Sequence, residues 1–265
     1  MTLVCFGGGN MGVALVDGWL SANAVSPNNI VIVEPVHDRR AQLTRLTNIG
    51  VTVAAQAPDV FSDVVVAVKP NHVTGVLEVA RRAGARRVLS IAAGVPLSVL
   101  TQYAGADAAV VRSMPNTPAL VHQAMSALST ASSTSDADRQ WAQSLLDAVG
   151  KTIWLAESLM DVYTAVIGSG PAYVLLLAEA LADAGRRSGL PEETAQVLTR
   201  QLLVGVGALL SHSPQTLAAL RESVTSPGGT TAAGLSQLVD GGFAEIVAGA
   251  VQAATERSIQ LGQSS

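Results

Sequence analysis

The sequence predicts an α/β chain in two parts: a parallel-sheet domain over residues 1–156 and an all-α domain over residues 157–265. Three observations carry this reading. Short runs rich in valine and isoleucine alternate with helical patterns as far as Leu155. Strand signals then stop. The first strand also runs directly into a glycine-rich turn that opens a helix. Strands that alternate with helices imply βαβ units, and therefore parallel pairing with right-handed crossovers.

Taken in order, Thr2–Gly7 reads as a strand and Asn10–Ala22 as a helix, followed by a strand at Ile30–Glu34 and a helix at Asp38–Leu46. Val51–Ala54, Val64–Val68, Val88–Ala92 and Ala109–Arg112 are apolar runs of strand length. Ser126–Leu128 and Thr152–Leu155 read as late edge strands, with a helix over Asp136–Val149 between them. Beyond residue 156 the segments 160–187, 191–211, 214–223, 230–240 and 242–261 read as helices. Pro171, Pro191, Pro214 and Pro227 lie near their starts, where a missing N–H is tolerated. Ala172–Ala178 and Leu202–Leu210 have almost no polar face, so both helices require burial on every side. A domain of this size cannot enclose both, which predicts a homodimer or an assembly of dimers.

Composition narrows the function classes. The chain has 265 residues, 49% hydrophobic, 14% charged and 3% aromatic, which excludes disorder and implies cores of Ala, Val and Leu. A net charge of −4 without a basic stripe argues against a nucleic-acid partner. Cys5 is the single cysteine, so no intramolecular disulfide forms, and its place in the first strand marks it as a small buried hydrophobe. The uncharged stretch from Val162 to Ala178 is shorter than the roughly 20 residues of a membrane span, and Gly168-Ser169-Gly170-Pro171 interrupts it. The expectation is a cytoplasmic protein with no membrane partner.

Gly7-Gly8-Gly9-Asn10-Met11-Gly12 fits G-x-G-x-x-G between a strand and a helix, the setting in which that pattern binds a dinucleotide. Gly7 permits the tight turn, Gly9 lets backbone approach a pyrophosphate, and Gly12 packs helix on sheet. Glu34, closing the second strand, is placed to hydrogen-bond ribose hydroxyls and to disfavour a 2′-phosphate, whereas Arg39 and Arg40 offer to pair with that phosphate. NADH and NADPH both remain open. Ala67-Val68-Lys69-Pro70 and Ala92-Ala93-Gly94 follow two further strands, and turns at the carboxyl ends of strands line the crevice of an open α/β sheet. Both are assigned to the nicotinamide side. His37, His72, His122 and His212 lack metal-ligand spacing, and no metal site is expected. The residues point to an NAD(P)H-dependent reductase of small molecules.

Three further motifs carry a resemblance. MPNTP at 114–118, GSGPAYV at 168–174 and VTSPGGTTAAGL at 224–235 make the chain similar to the pyrroline-5-carboxylate reductases, which reduce a cyclic imine to proline. The pieces fall in the family's order over nearly the whole chain. The resemblance implies a Rossmann-type domain followed by an all-α dimerisation domain, with NADPH or NADH as cofactor. It implies reduction of 1-pyrroline-5-carboxylate to L-proline, the last step of proline biosynthesis, between one subunit's nucleotide domain and a partner's helices. Carried over by motif, cofactor contacts fall on Gly7 through Gly12, on Ala67–Pro70 and on Ala92–Gly94. Substrate contacts fall on Ser226, Gly228, Gly229, Thr230 and Thr231.

The Ser-Pro-Gly-Gly-Thr-Thr loop suits a carboxylate, because its glycines leave backbone N–H groups exposed beside a helix start. Thr231 supplies a hydroxyl for the imine nitrogen and is the catalytic candidate. The chain departs from the family at Ile167, where serine is usual, and at Glu34, where the family favours a phosphate-compatible residue. The alternatives are another Rossmann imine reductase, a β-hydroxyacid reductase and a non-catalytic NAD(P)-sensing module. A β-hydroxyacid reductase needs a lysine in its second domain, and none follows Lys151. A sensor has no use for a carboxylate nest.

Overall fold

In the computed structural model, which describes residues 2–263, an eight-stranded sheet runs in the order β3-β2-β1-β4-β5-β6-β7-β8. Its strands are β1 (Leu3–Phe6), β2 (Ile30–Val33), β3 (Thr52–Ala54), β4 (Asp63–Val66), β5 (Arg87–Ser90), β6 (Ala109–Met114), β7 (Ala124–Thr130) and β8 (Gly150–Trp154). The helices are α1 (Asn10–Ser21), α2 (His37–Gln42), α3 (Thr44–Thr47), α4 (Val73–Arg82), α5 (Leu97–Ala104), α6 (Asp136–Asp147), α7 (Met160–Tyr163), α8 (Gly170–Arg187), α9 (Glu192–His212), α10 (Leu217–Ser223), α11 (Thr230–Asp240) and α12 (Phe243–Gln263). The chain divides into two compact units, one of residues 1–169 with 253–265 and one of residues 170–252.

In the first unit β1, β2 and β4 are buried at every position, as strands covered on both faces must be. Side chains alternate between the faces. Leu3, Cys5 and Ile32 pack with Leu15 and Trp19 of α1 and Leu145 and Leu146 of α6. Val4, Phe6 and Val64 pack with Leu77 of α4 and Leu100 of α5.

Several expectations are corrected. The helix expected over Asp38–Leu46 is two short helices, α2 and α3, because Leu43 leaves helical geometry to bury itself in the core. The Thr44 hydroxyl donates to the Ala41 carbonyl at the break. Helices α4 and α5, over segments read only as connections, complete the crossovers. Strand β7 is not an edge: it lies between β6 and β8 and runs antiparallel to β6. Its connection from β6 carries only a 3-10 turn at Thr117–Val121, too short for the crossover that parallel pairing demands.

The last strand ends at Trp154, and the compact unit extends on to Ser169. Met160 and Tyr163 explain this, since both are buried in a cluster with Ala127 of β7. The helix expected over 160–187 is interrupted by a π-turn at Thr164–Gly168. Pro171 has no N–H to return to the Ile167 carbonyl, and Asn116 Nδ2 donates to that carbonyl instead, at 3.2 Å.

In the second unit α8 packs along α9. Among its described residues the buried hydrophobics are Ala178, Ala182, Ala195 and Leu220. Leu175, Leu176 and Val204 are 64%, 65% and 63% exposed, so the apolar faces read from the sequence are left uncovered by the chain itself. The stretch Glu157–Arg187 is long and apolar enough to cross a membrane by length and composition. Its first part packs into the sheet unit through Met160 and Tyr163.

Candidate active site

The parallel register brings the predicted cofactor residues of the first unit to one edge of the sheet. Phe6 is paired with Val33 and Val66, and Val66 with Ser90, so β1, β2, β4 and β5 end in a row. The ladder extends one residue further. Gly7 N–H donates to the Val33 carbonyl at 2.9 Å, Ala67 N–H to Phe6 at 2.8 Å, and Ile91 N–H to Val66 at 3.0 Å. The turns Gly7–Gly12, Ala67–Pro70 and Ala92–Gly94 therefore leave the sheet side by side, with Glu34 flanking the first of them on the β2 side, away from the other two.

The glycine turn divides its tasks among its glycines. Gly7 has φ +114°, and a Cβ there would lie 2.5 Å from the Ala67 carbonyl oxygen. A Cβ on Gly12 would collide with the Gly7 carbonyl. Gly9 faces open space: nothing lies within 4 Å of a Cβ there. It is the N-cap of α1 and offers no side chain to that helix start. The cradle thus fits a dinucleotide pyrophosphate, with backbone access at Gly9 and the α1 N-terminus behind it. Asn10 is exposed and Met11 half-buried in the first turn.

Glu34 is buried, and both carboxylate oxygens are occupied. Gly8 N–H donates to Oε2 at 3.0 Å and Val36 N–H to Oε1 at 2.9 Å. The two following arginines act as backbone ties. Arg39 Nε donates to the Gly8 carbonyl at 2.6 Å, and one Arg40 nitrogen donates to the carbonyls of Glu34 and Pro35 at 2.8 and 2.7 Å. Beside them an apolar cavity of about 350 Å³ is lined by Phe6, Val33, Pro35, Val68 and Val76 among others. A larger cavity of about 950 Å³ borders α5, β7 and Trp154, and no predicted site residue lines it.

Lys69 is exposed and caps the 3-10 turn Pro70–His72, while Ala67 and Val68 are half-buried. The turn after β5 is more rigidly held. Gly94 has φ +76° and is buried, and Leu97 N–H, where α5 begins, donates to Glu157 Oε1 at 2.5 Å. Arg112, 5% exposed, donates to the same oxygen at 3.0 Å. Asn116 of the MPNTP segment accepts from Met125 N–H at 3.0 Å, and the Tyr163 hydroxyl donates to the Met125 carbonyl at 2.6 Å. Burial pushes that phenol up to about 12. Ile167, in place of the family's serine, packs its side chain against the cluster of Ala127, Met160 and Tyr163.

The second unit contains Ser226–Thr231. Gly229 is the N-cap of α11 and donates its N–H to the Ser226 carbonyl at 3.0 Å, while Gly228 has φ +70° and open space around it. Thr230 and Thr231 are the first residues of α11, with Thr231 exposed and no side-chain cap at this helix start. Within its own unit the loop therefore presents backbone and hydroxyl groups outward. Glu157 and Arg112 escaped the sequence reading; the only sign of them was a charge inside an apolar strand at Arg112.

A family profile described as pyrroline-5-carboxylate reductase dimerisation matches residues 157–261, and one described as NADP oxidoreductase, coenzyme F420-dependent, matches residues 2–94. The chain is 38% identical to a pyrroline-5-carboxylate reductase of Synechocystis over 97% of both sequences. It is 39% identical to one of Pseudomonas aeruginosa, over 97% of this chain and 95% of that protein. Among solved structures it is similar to the pyrroline-5-carboxylate reductase of Coxiella burnetii, with TM-score 0.88, 32% identity and 98% of each chain covered. The Plasmodium falciparum pyrroline carboxylate reductase with NADP bound gives TM-score 0.83 and 29% identity over 99% of this chain and 98% of that one. The glycine cradle, the 3-2-1-4-5-6 strand order and full-length similarity agree, and the chain belongs to the pyrroline-5-carboxylate reductase family.

Proposed function

We propose that the protein reduces 1-pyrroline-5-carboxylate to L-proline with a reduced nicotinamide dinucleotide, working as a homodimer or an assembly of dimers in the cytosol. The observation that carries the reading is the intact Ser-Pro-Gly-Gly-Thr-Thr loop at the uncapped start of α11, in a chain of this family. When bound, the dinucleotide supplies the hydride that adds to the imine carbon, and a proton on the ring nitrogen completes the amine. The chain's own part is to bind, orient and exclude water. Gly9 and the α1 N-terminus receive the pyrophosphate, and the turns Ala67–Pro70 and Ala92–Gly94 flank the nicotinamide. Backbone N–H groups at Gly228 and Thr230 hold the substrate carboxylate, while Gly229, its own N–H given to the Ser226 carbonyl, keeps the loop's turn open to the substrate. The Thr231 hydroxyl hydrogen-bonds the imine nitrogen and, with the carboxylate held, orients the ring for the hydride.

NADH is the favoured cofactor in this reading, because an acidic residue closing the second strand disfavours a 2′-phosphate and Glu34 is buried there, while Arg39 Nε and one Arg40 nitrogen donate to backbone carbonyls. The uncovered faces of α8 and α9 supply the subunit contact. Mixing the protein with pyrroline-5-carboxylate and NADH or NADPH, and following absorbance at the nicotinamide band, tests the reading. Loss of absorbance dependent on the imine is expected; folded protein with no turnover on either cofactor overturns it.

A further inference from the structure

We infer that the last turns of α12, Ser258–Gly262, brace the turn Ala92-Ala93-Gly94, so that Gly262 and Ser258 are positioning residues for the nicotinamide half of the cofactor. The inference rests on the reading that this turn flanks the nicotinamide. From Ala253 onward α12 belongs to the first unit, together with the turn it meets.

The contact is backbone against backbone. A Cβ on Gly94 would come 3.2 Å from Leu261 Cβ and 3.3 Å from the Gly262 nitrogen. A Cβ on Gly262 would come 2.6 Å from the Gly94 carbonyl oxygen, closer than real Cβ atoms approach. Glycine on both sides is what permits the approach, and Gly94 needs glycine besides for its φ of +76°.

The helix end is also anchored. The Ser258 hydroxyl, in a residue 5% exposed, donates to Asp161 Oδ1 at 2.7 Å. That same oxygen lies 3.8 Å from a guanidinium nitrogen of Arg112, and Arg112 donates to Glu157 Oε1, which accepts from Leu97 N–H as well. The run from Gly94 to Leu97 is thus held at one end by Gly262 and at the other by Glu157, and both supports lead to Arg112. Mere packing of a terminal helix needs no such convergence on one turn. Small displacements of a turn against a reacting ring are costly in rate, up to about a hundredfold for an ångström.

The test uses the full-length enzyme and compares NADH with ADP-ribose, which keeps the adenosine and both phosphates and lacks the nicotinamide; NADPH and 2′-phospho-ADP-ribose are run in parallel. For Gly262→Ala the expected result is NADH affinity about tenfold weaker with ADP-ribose affinity within about twofold, and a lower kcat. Ser258→Ala moves the same ratio in the same direction by less, and Ser258→Thr restores it. Gly94→Ala separates the two layers of the argument. If it leaves NADH binding unchanged, the assignment of the turn to the nicotinamide fails. If Gly94→Ala weakens NADH while Gly262→Ala and Ser258→Ala shift both ligands equally, or only lower the Tm, the brace is overturned and the assignment stands.

Discussion

Gly8 and Glu34 hold each other in place: the Gly8 amide donates to the Glu34 carboxylate at 3.0 Å, and a Cβ on Gly8 would come 3.2 Å from the Glu34 Cβ. The acidic residue is therefore built into the glycine turn rather than standing free beside it. Arg39 closes the arrangement from the other side through the Gly8 carbonyl. A residue held this way shapes the cradle itself.

The first prediction concerns that choice. Wild-type enzyme favours NADH over NADPH in kcat/KM, since a second negative charge beside Glu34 costs on the order of a few kcal/mol. Glu34→Gln narrows the ratio. It also replaces one acceptor by a donor facing a backbone N–H, at a stability cost of about 1–3 kcal/mol. Steady-state kinetics with both cofactors and a denaturation curve check the two effects separately. A hundredfold preference of the wild type for NADPH refutes the assignment.

Gly9 and Gly12 respond oppositely to alanine. At Gly9 the backbone is extended and a methyl meets nothing within 4 Å, so Gly9→Ala leaves the Tm nearly unchanged while cofactor KM rises, by about tenfold or more. At Gly12 the methyl strikes the Gly7 carbonyl, and Gly12→Ala destabilises the fold by about 1–3 kcal/mol. Thermal melts beside cofactor titrations distinguish the two. Equal loss of stability at both positions contradicts the division of tasks within the turn.

Thr231→Val removes a hydroxyl with little change of shape. If that hydroxyl bonds the charged imine, kcat/KM falls roughly tenfold to two-hundredfold, equivalent to about 1.5–3 kcal/mol. Cofactor affinity is expected to stay the same. Because Gly229 holds the N-cap and Thr231 follows it, a capping role for Thr231 is not available to explain a loss. Unchanged efficiency in folded variant removes Thr231 from the chemistry.

The apolar faces of α8 and α9 predict a stable dimer or larger assembly in sedimentation. Leu176→Glu places a charge on a face that is 65% exposed in the single chain. It shifts the species toward monomer and lowers activity. A wild-type protein that sediments as an active monomer refutes the prediction.

Cys5 is fully enclosed in β1, and burial pushes its thiol up to about 12 from an ordinary 9.0. Its thiolate is correspondingly scarce at neutral pH, and reactivity follows the thiolate. Labelling by a thiol reagent should therefore proceed only through unfolding and accelerate with denaturant. Fast labelling of native protein counts against the buried assignment.

Period and glycine spacing alone determined much of this molecule. The apolar runs at β1, β2 and β4 record strands covered on both faces, and Gly7, Gly9 and Gly12 record a turn whose backbone must stay bare. The all-round apolar character of α8 and α9 likewise anticipated faces that the chain does not cover. These are local properties, written within a few residues of where they act. What tertiary structure decided are partnerships. Strand β7 carries the same pattern whether it pairs parallel or antiparallel, and the short connection after β6 settled the direction. The backbone acceptors of Arg39 and Arg40, Gly8 for one and Glu34 and Pro35 for the other, leave no mark in the sequence. Arg112 meets Glu157 across 45 residues of sequence, and Asp161 meets Ser258 across 97. Hydrogen bonds and ion pairs of that span leave no periodic trace, because periodicity reports which side of an element is buried and not the group that meets it there.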